Sequence, residues 1–325
     1  MSRVLNGQPG LKPKTIERVQ RAIEETGFVP NAYALHLKGK RTATVGICME
    51  NLLTPPVVRK LAALQGLLRE QNYTSLIEVV EPDNSDKVIR HFLSMRVEAV
   101  VFIGHFDEEQ LTRQVGELVT RSTPHLVIDH IGIRGANTVT LDRAKGMHAV
   151  IDHLYAHGHR TFGLLAFNSN ARSVLERLRG ISEALVAHGL VFEQCTSALD
   201  GVFPRDNDFE EGRRIARAYV ARGQMPTALI ALNDEVAIGA MHGLQEAGLR
   251  VPEDVSVVGF NNQDICLMPT PTLTSVDQRV DDTIKLAADV LLPQLGEPPR
   301  IRPIVKLIEP LLIVRDSTGP APVRG

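Results

Sequence analysis

The sequence predicts an α/β protein, with two doubly wound lobes behind a short, basic, all-α arm. Three observations predict it. From Ala43 onward, short apolar runs alternate with helix-period segments, the signature of a doubly wound parallel sheet. The pattern restarts after Asp142, so two similar halves follow one another and a cleft is expected between them. Residues 1–41 carry eight Lys or Arg against three acids, a local +5, while the rest of the chain is a local −7. A basic arm on an acidic body suits a polyanion partner.

Composition excludes several classes. At 325 residues and 43% hydrophobic the chain can build more than one core. With 23% charged residues and no low-complexity block it reads as an ordinary globular protein. No apolar run approaches the roughly 18 residues of a membrane span, and the N-terminus lacks the apolar core of a secretory signal. Cys48, Cys195 and Cys266 are odd in number, scattered and without metal-ligand spacing, which suits a reducing compartment. The expected location is the cytoplasm, with no membrane partner.

In chain order, Met1 to Gly7 reads as the end of a helix stopped by Gly7, and Pro9-Gly10 as a turn. Lys14 to Thr26 is a helix with Ile16, Val19, Ala22 and Ile23 at helical spacing and Gly27 at its cap. Its apolar face has little to pack on, and a lone short helix is marginal in water. Ala32 to Lys38 follows Pro30, which can start a helix, and a basic linker comes next. This segment reads either as a disordered linker or as a helix that orders only on a partner.

In the body, expected strands are Thr44–Met49, Ser75–Val80, Val97–Ile103, Pro124–Asp129 and Thr138–Leu141. The helices between them are Val58–Asn72, Ser85–Met95 and Glu108–Val119. The second half reads as helix Ala144–Ala156, strand Thr161–Phe167, helices Ser173–His188 and Phe209–Arg222, and then Thr227 to Asn262. After Thr274 only the helix Val280–Leu292 and strands near Ile304 and Leu312 remain. They are too few for a third domain, so the chain should cross back and complete both lobes.

The stretch Thr227–Asn262 organises the rest. Two apolar runs, Ala228–Leu232 and Val255–Phe260, flank an amphipathic helix that Gly248 can end. That is a βαβ unit with buried parallel strands. Ligands of such sheets bind at the carboxyl ends of the strands, where Asn233, Asp234, Asn261 and Asn262 sit. Asn233 and Asn261 hold both donor and acceptor groups there. Arg177, near the start of a helix after Asn168-Ser169-Asn170, could offer the cleft a fork of donors, or could form a surface ion pair. His157-Gly158-His159 reads as a helix C-terminus, with His at the negative dipole end. Glu210-Glu211 reads as surface. No G-x-G-x-x-G, Walker or G-x-S-x-G pattern is present. No enzyme, cofactor or metal is therefore expected.

These residues also carry a family likeness. Ser2-Arg3-Val4-Leu5-Asn6-Gly7 resembles the end of the recognition helix of LacI-family transcription regulators. Thr15-x-x-Arg18-Val19 with Gly27-Phe28-x-Pro30-Asn31 resembles their third headpiece helix, and Ala34-x-x-Leu37 their hinge helix. Asn233-Asp234, the run Val251 to Phe260, Pro271-x-Leu273-Thr274 and Arg315-Asp316-Ser317-Thr318 resemble the body. The likeness spans the whole chain. It implies a periplasmic-binding-protein-like body of two doubly wound lobes, with a partial all-α helix-turn-helix headpiece over residues 1–29. A hinge helix and linker would occupy 30–42 and the body 43–325. The N-lobe would take about 43–143 and 276–303, the C-lobe about 144–275 and 304–325. It further implies a homodimeric repressor that binds double-stranded operator DNA under the control of a small effector, a sugar or metabolite. DNA contacts carry over to Ser2, Arg3, Asn6, Ala34, Leu37 and Lys38, with Leu37 wedging a minor-groove step and Arg3 reaching base edges. Effector contacts carry over to Arg177, Asn233, Asn261, Asp142 and Thr54.

The departures from that pattern carry expectations too. The family has a first helix and turn ahead of Ser2, and these are missing here. The chain is therefore expected either to continue upstream of the stated start or to sense ligand without gripping operator DNA. Leu35 stands where the family usually has Arg, which removes one phosphate contact. Pro56 and Val57 replace aromatics, against a stacked planar ligand, and Asn261 replaces the commoner Asp, which removes a charge. The rival from another class is a solute-binding protein of periplasmic type. It would share the body but needs an export signal and has no use for a basic arm.

Overall fold

The structure, a computed structural model, describes residues 4, 10, 12–27, 42–50, 54–81, 84–169, 171–199, 207–295 and 302–323. The segment expected as a hinge helix, and Ser2, Arg3, Asn6, Ala34, Leu37 and Lys38, expected as DNA contacts, lie outside them. Helix α1, Pro13–Thr26, begins with Pro in its first turn and ends at Gly27, whose φ is +60°. None of its residues is buried.

The first lobe is built from β1 (Thr44–Met49), α2 (Pro55–Glu70), β2 (Thr74–Val79), α3 (Ser85–Ser94), β3 (Ala99–Ile103), α4 (Glu108–Thr120), β4 (His125–Ile128) and β5 (Thr138–Leu141). The second continues through α5 (Arg143–Ala156), β6 (Phe162–Leu165), α6 (Arg172–Ala187), α7 (Phe192–Cys195), β7 (Thr196–Ala198), α8 (Asp208–Arg222), β8 (Ala228–Ala231), α9 (Asp234–Glu246), β9 (Ser256–Asn261) and β10 (Thr274–Asp277). Helix α10 (Val280–Leu291), β11 (Val305–Ile308) and β12 (Leu311–Ile313) close the chain. The sheets run β11-β5-β4-β3-β1-β2 and β12-β10-β9-β8-β6-β7. All pairings are parallel except β10 with β12.

The central strands are apolar because helices cover both faces. Every residue of β3, β4 and β8 is buried. One core under the first sheet joins Ile47, Leu64, Val101 and Ile284, and another on its opposite face joins Phe92, Phe102 and Leu111. Phe162, Tyr219, Ile230 and Phe260 lie in the core of the second lobe. Helices α8 and α9 cross with near backbone contact, because Gly212 faces the Val236 carbonyl and Gly239 the Phe209 carbonyl. Among the described residues, no helix is long and apolar enough to cross a membrane.

The structure departs from the sequence expectations in four places. Helix α2 starts at Pro55, earlier than Val58, since Pro at the first turn gives up a hydrogen bond the helix does not use there. Thr274–Asp277 is a strand, and β11 joins β5 in the first sheet. The chain therefore crosses between the sheets after β5, after β10 and after β11, the last crossing falling beyond Ile308 rather than near 303. The short α7 and β7 carried no periodicity to announce them. Glu211 is buried, not surface, because it turns inward and pairs with Arg214 at 2.9 Å.

Candidate functional site

A cavity of about 240 Å³ opens between the two sheets, at the carboxyl ends of their strands. The first lobe contributes Thr54, Pro56 and Val57 at the start of α2, His105 after β3 and Asp129 after β4. The second contributes Arg177 from α6, Asp208, Asn233 after β8 and Asn261 from β9, with Gln278 at the crossing that follows β10. Thr54, Arg177, Asn233 and Asn261 are thus brought together from segments far apart in sequence. Asp142 is not among the lining residues. Its carboxylate caps α5, accepting from the Lys145 amide at 3.0 Å.

Arg177 is 7% exposed. Its guanidinium lies 3.8 Å from the Phe260 ring centroid, a cation–π contact, and Nη1 donates to the Leu232 carbonyl at 2.7 Å. Its Nε is buried and, among the described residues, has no hydrogen-bond partner. Burial, with Arg143 nearby, depresses its pKa to about 9, so it stays charged at neutral pH.

Asp129, with φ of +73°, accepts from Lys60 at 2.5 Å and from Arg143 at 3.3 Å. Burial would raise its pKa, but the two cations outweigh that and hold it at about 2. Lys60 also donates to Gln278 at 2.9 Å, and Gln278 donates to Asn261 at 2.5 Å. Arg143 continues to Glu176 at 3.2 Å. One polar chain therefore runs beneath the cavity from the second lobe through the first and back. Burial, then Arg143, drives the His105 pKa down to about 3, so its imidazole is neutral and can both donate and accept.

Asn233 has both ends of its amide engaged. Its Oδ1 caps α9 by accepting from Val236 at 2.9 Å, and its Nδ2 donates to Asp208 at 2.5 Å. It positions Asp208 as much as it offers itself. Asn261 and Asn262 have φ of +116° and +49°, a backbone that Asn tolerates better than most residues. Asn262 turns away to Asp277 and Arg315. Asp234 is wholly buried beneath the rim, accepting from Gln263 and Ser275. His159, of the His157-Gly158-His159 pair, is buried and donates to the Gly319 carbonyl at 3.0 Å.

Sequence reasoning did not single out Asp129, His105, Asp208 or Gln278. The strand-end rule could have found Asp129 and His105, since both follow apolar runs. Asp208 and Gln278 offered no comparable signal. No covalent nucleophile paired with a base lines the cavity among the described residues. The arrangement suits recognition of a small polar molecule by hydrogen bonds and one buried cation.

Comparison with known proteins is consistent with that geometry. The model of the periplasmic binding protein-like domain family matches residues 151–318. Catabolite control protein A of Staphylococcus xylosus is 26% identical over 301 residues, covering 91% of this chain and 88% of that protein. The Staphylococcus aureus (strain Mu50) protein of the same name is 27% identical over 290 residues, covering 87% and 84%. Among solved structures, the Lac repressor dimer bound to operator and the anti-inducer ONPF superposes with a TM-score of 0.85 at 24% identity, covering 98% of this chain and 94% of that one. The transcriptional regulator CelR in complex with cellobiose gives 0.72 at 26% identity, covering 97% and 94%.

Proposed function

Since this chain belongs to the periplasmic-binding-protein-like family, and within it to the LacI-family transcriptional regulators, we propose that it is a repressor whose operator affinity is set by a small effector held between its lobes. The observation that carries this reading is the cavity itself. Residues of both lobes line it, and the Asp129–Arg143 pair beneath it joins the lobes where the chain first crosses. A ligand that binds the closed form better than the open one shifts that equilibrium by its differential affinity. The basic arm, with the unburied apolar face of α1, supplies the DNA-binding end, and Ser2, Arg3, Asn6, Ala34, Leu37 and Lys38 are its proposed contacts. Thr54, Arg177, Asn233 and Asn261 are the proposed effector contacts. Asp142, which lies outside the cavity lining and caps α5, is proposed to act on the lobes through that cap. Residues 1–29, 30–42 and 43–325 are the proposed headpiece, hinge and body. Such a regulator works in the cytoplasm, where its DNA is.

A homodimer accompanies this reading. An apolar concavity of about 770 Å³ is lined by Ile238, Met241, Leu249, Val251 and Ile265. Beside it Leu267 and Met268 are 62% and 77% exposed. Exposed apolar patches of this kind mark association surfaces, and a second copy of the chain is the proposed occupant.

The test is a thermal-shift screen of sugars and metabolites, followed by DNA binding at several salt concentrations with and without each hit. A ligand bound only by the native state raises the melting point, and phosphate contacts make DNA affinity fall steeply with salt. The expected result is a hit that changes DNA affinity. Hits that occupy the cleft and leave DNA affinity unchanged at every salt concentration would sink the reading.

A further inference from the structure

The charges in the cleft name a class of ligand. This step rests on the reading that a small molecule occupies the cavity. Three cations are buried in or beside it, and two of them are matched. Lys60 has Asp129, and Arg143 has Asp129 and Glu176. Arg177 is the third. Among the described residues no carboxylate lies within ion-pair range of it, and its Nε has no partner at all. Glu176, its neighbour in α6, is turned to Arg143 and Arg172. The position in β9 that follows its stacking partner Phe260 is Asn261, an amide rather than a carboxylate, and Gln278 occupies the oxygen of that amide.

A desolvated, unpaired guanidinium is costly, and a bidentate carboxylate is the partner that best matches its planar fork. Asp208 and Glu235 also line the cavity, and burial together with the Asp208 charge raises the Glu235 pKa. These are acceptors for hydroxyl groups and repel an anion. The cavity lining thus combines one buried cation with acceptors for hydroxyl groups.

We propose that the cleft takes a polyhydroxy acid of monosaccharide size, its carboxylate on Arg177 and its hydroxyls on Asp208, Asn233 and Glu235.

Calorimetric titration of the full chain with matched pairs tests this: glucose against glucuronate and gluconate, galactose against galacturonate, ribose against ribonate. At least one acid is expected to bind about 100-fold more tightly than its neutral parent. The variant Asn261→Asp, which places a carboxylate beside Phe260, is expected to weaken that acid at least about tenfold more than it weakens the neutral parent. Arg177→Gln is expected to erase the difference between acid and parent. If Arg177→Gln does not fold, Asn261→Asp still decides. Neutral sugars that bind as tightly as their acids would overturn the ligand class and leave the effector reading standing. An acid preference unmoved by Asn261→Asp would overturn the placement on Arg177. If neither series binds, this proposal falls, and the thermal-shift and DNA measurements decide the effector reading separately.

Discussion

Lys60 and Asp129 meet at 2.5 Å where their side chains are 2% and 3% exposed. Lys60 comes from α2 and Asp129 from the end of β4, both in the first lobe. Arg143, from the first turn of α5 in the second lobe, reaches the other oxygen of Asp129 at 3.3 Å. A single carboxylate therefore pairs with one cation from each lobe beside the crossing.

Replacing Asp129 by Asn leaves Lys60 and Arg143 buried around a neutral amide. Breaking a buried pair in this way costs about 3–5 kcal/mol, so Asp129→Asn should lose that much in urea unfolding at pH 7. The sign with pH follows from a carboxyl held below its usual value, at about 2. Its contribution is complete above 3.8 and is lost as pH falls through 2. Wild type and variant should therefore converge in stability toward pH 2, and a gap that stays constant between pH 5 and 2 would contradict the assignment.

The exposed link between the lobes should behave differently. Arg172 of α6 meets Glu108 of α4 at 3.0 Å, with the side chains 42% and 56% exposed. Such pairs are worth about 0–1 kcal/mol. Glu108→Gln should shift the urea midpoint by no more than that, and the small difference should vanish in high salt.

Asp234 gives the opposite pH dependence. Burial pushes its carboxyl from 3.8 up to about 6, against hydrogen bonds from Gln263 and Ser275. A raised folded-state pKa contributes stability that is complete below 3.8 and is lost as pH rises to 6. In Asp234→Asn an amide nitrogen can donate to the Ser275 hydroxyl. Relative to this variant, the wild type should lose roughly 3 kcal/mol between pH 4 and 6 and nothing further above it. Parallel stability curves for the two proteins would refute the account.

Two glycines should respond in opposite directions. A Cβ on Gly239 would collide with the Phe209 carbonyl, part of a backbone that cannot yield. Gly239→Ala should cost at least about 2–3 kcal/mol by overpacking. A Cβ on Gly66, within α2, meets nothing within 4 Å among the described residues, so Gly66→Ala should gain about 0.5–1 kcal/mol. Thermal melts of the two variants shifting in the same direction would be inconsistent with this packing.

Much of the fold was legible because periodicity is local. The buried runs Val97–Ile103 and Val255–Phe260 announce parallel strands by having no polar face, and the restart after Asp142 announces the second lobe. The strand-end rule put Asn233 and Asn261 at the rim. It did not show that the Asn233 amide is already engaged with Asp208 and the α9 cap, which leaves one N–H for a ligand. Nor did it show that Asp142 caps a helix instead of lining the cavity.

The sequence by itself determined the alternation of elements, the two lobes and the basic arm, since each depends on neighbours within about one helix turn or one strand. Only the tertiary structure decided which charges are matched. Lys60 has the composition of a surface residue, yet it is buried because residues 69 and 218 positions away fold over it. Among the described residues Arg177 is left without a carboxylate for the same reason. Pairing at low dielectric is settled by which distant segments pack together, and no local pattern records that.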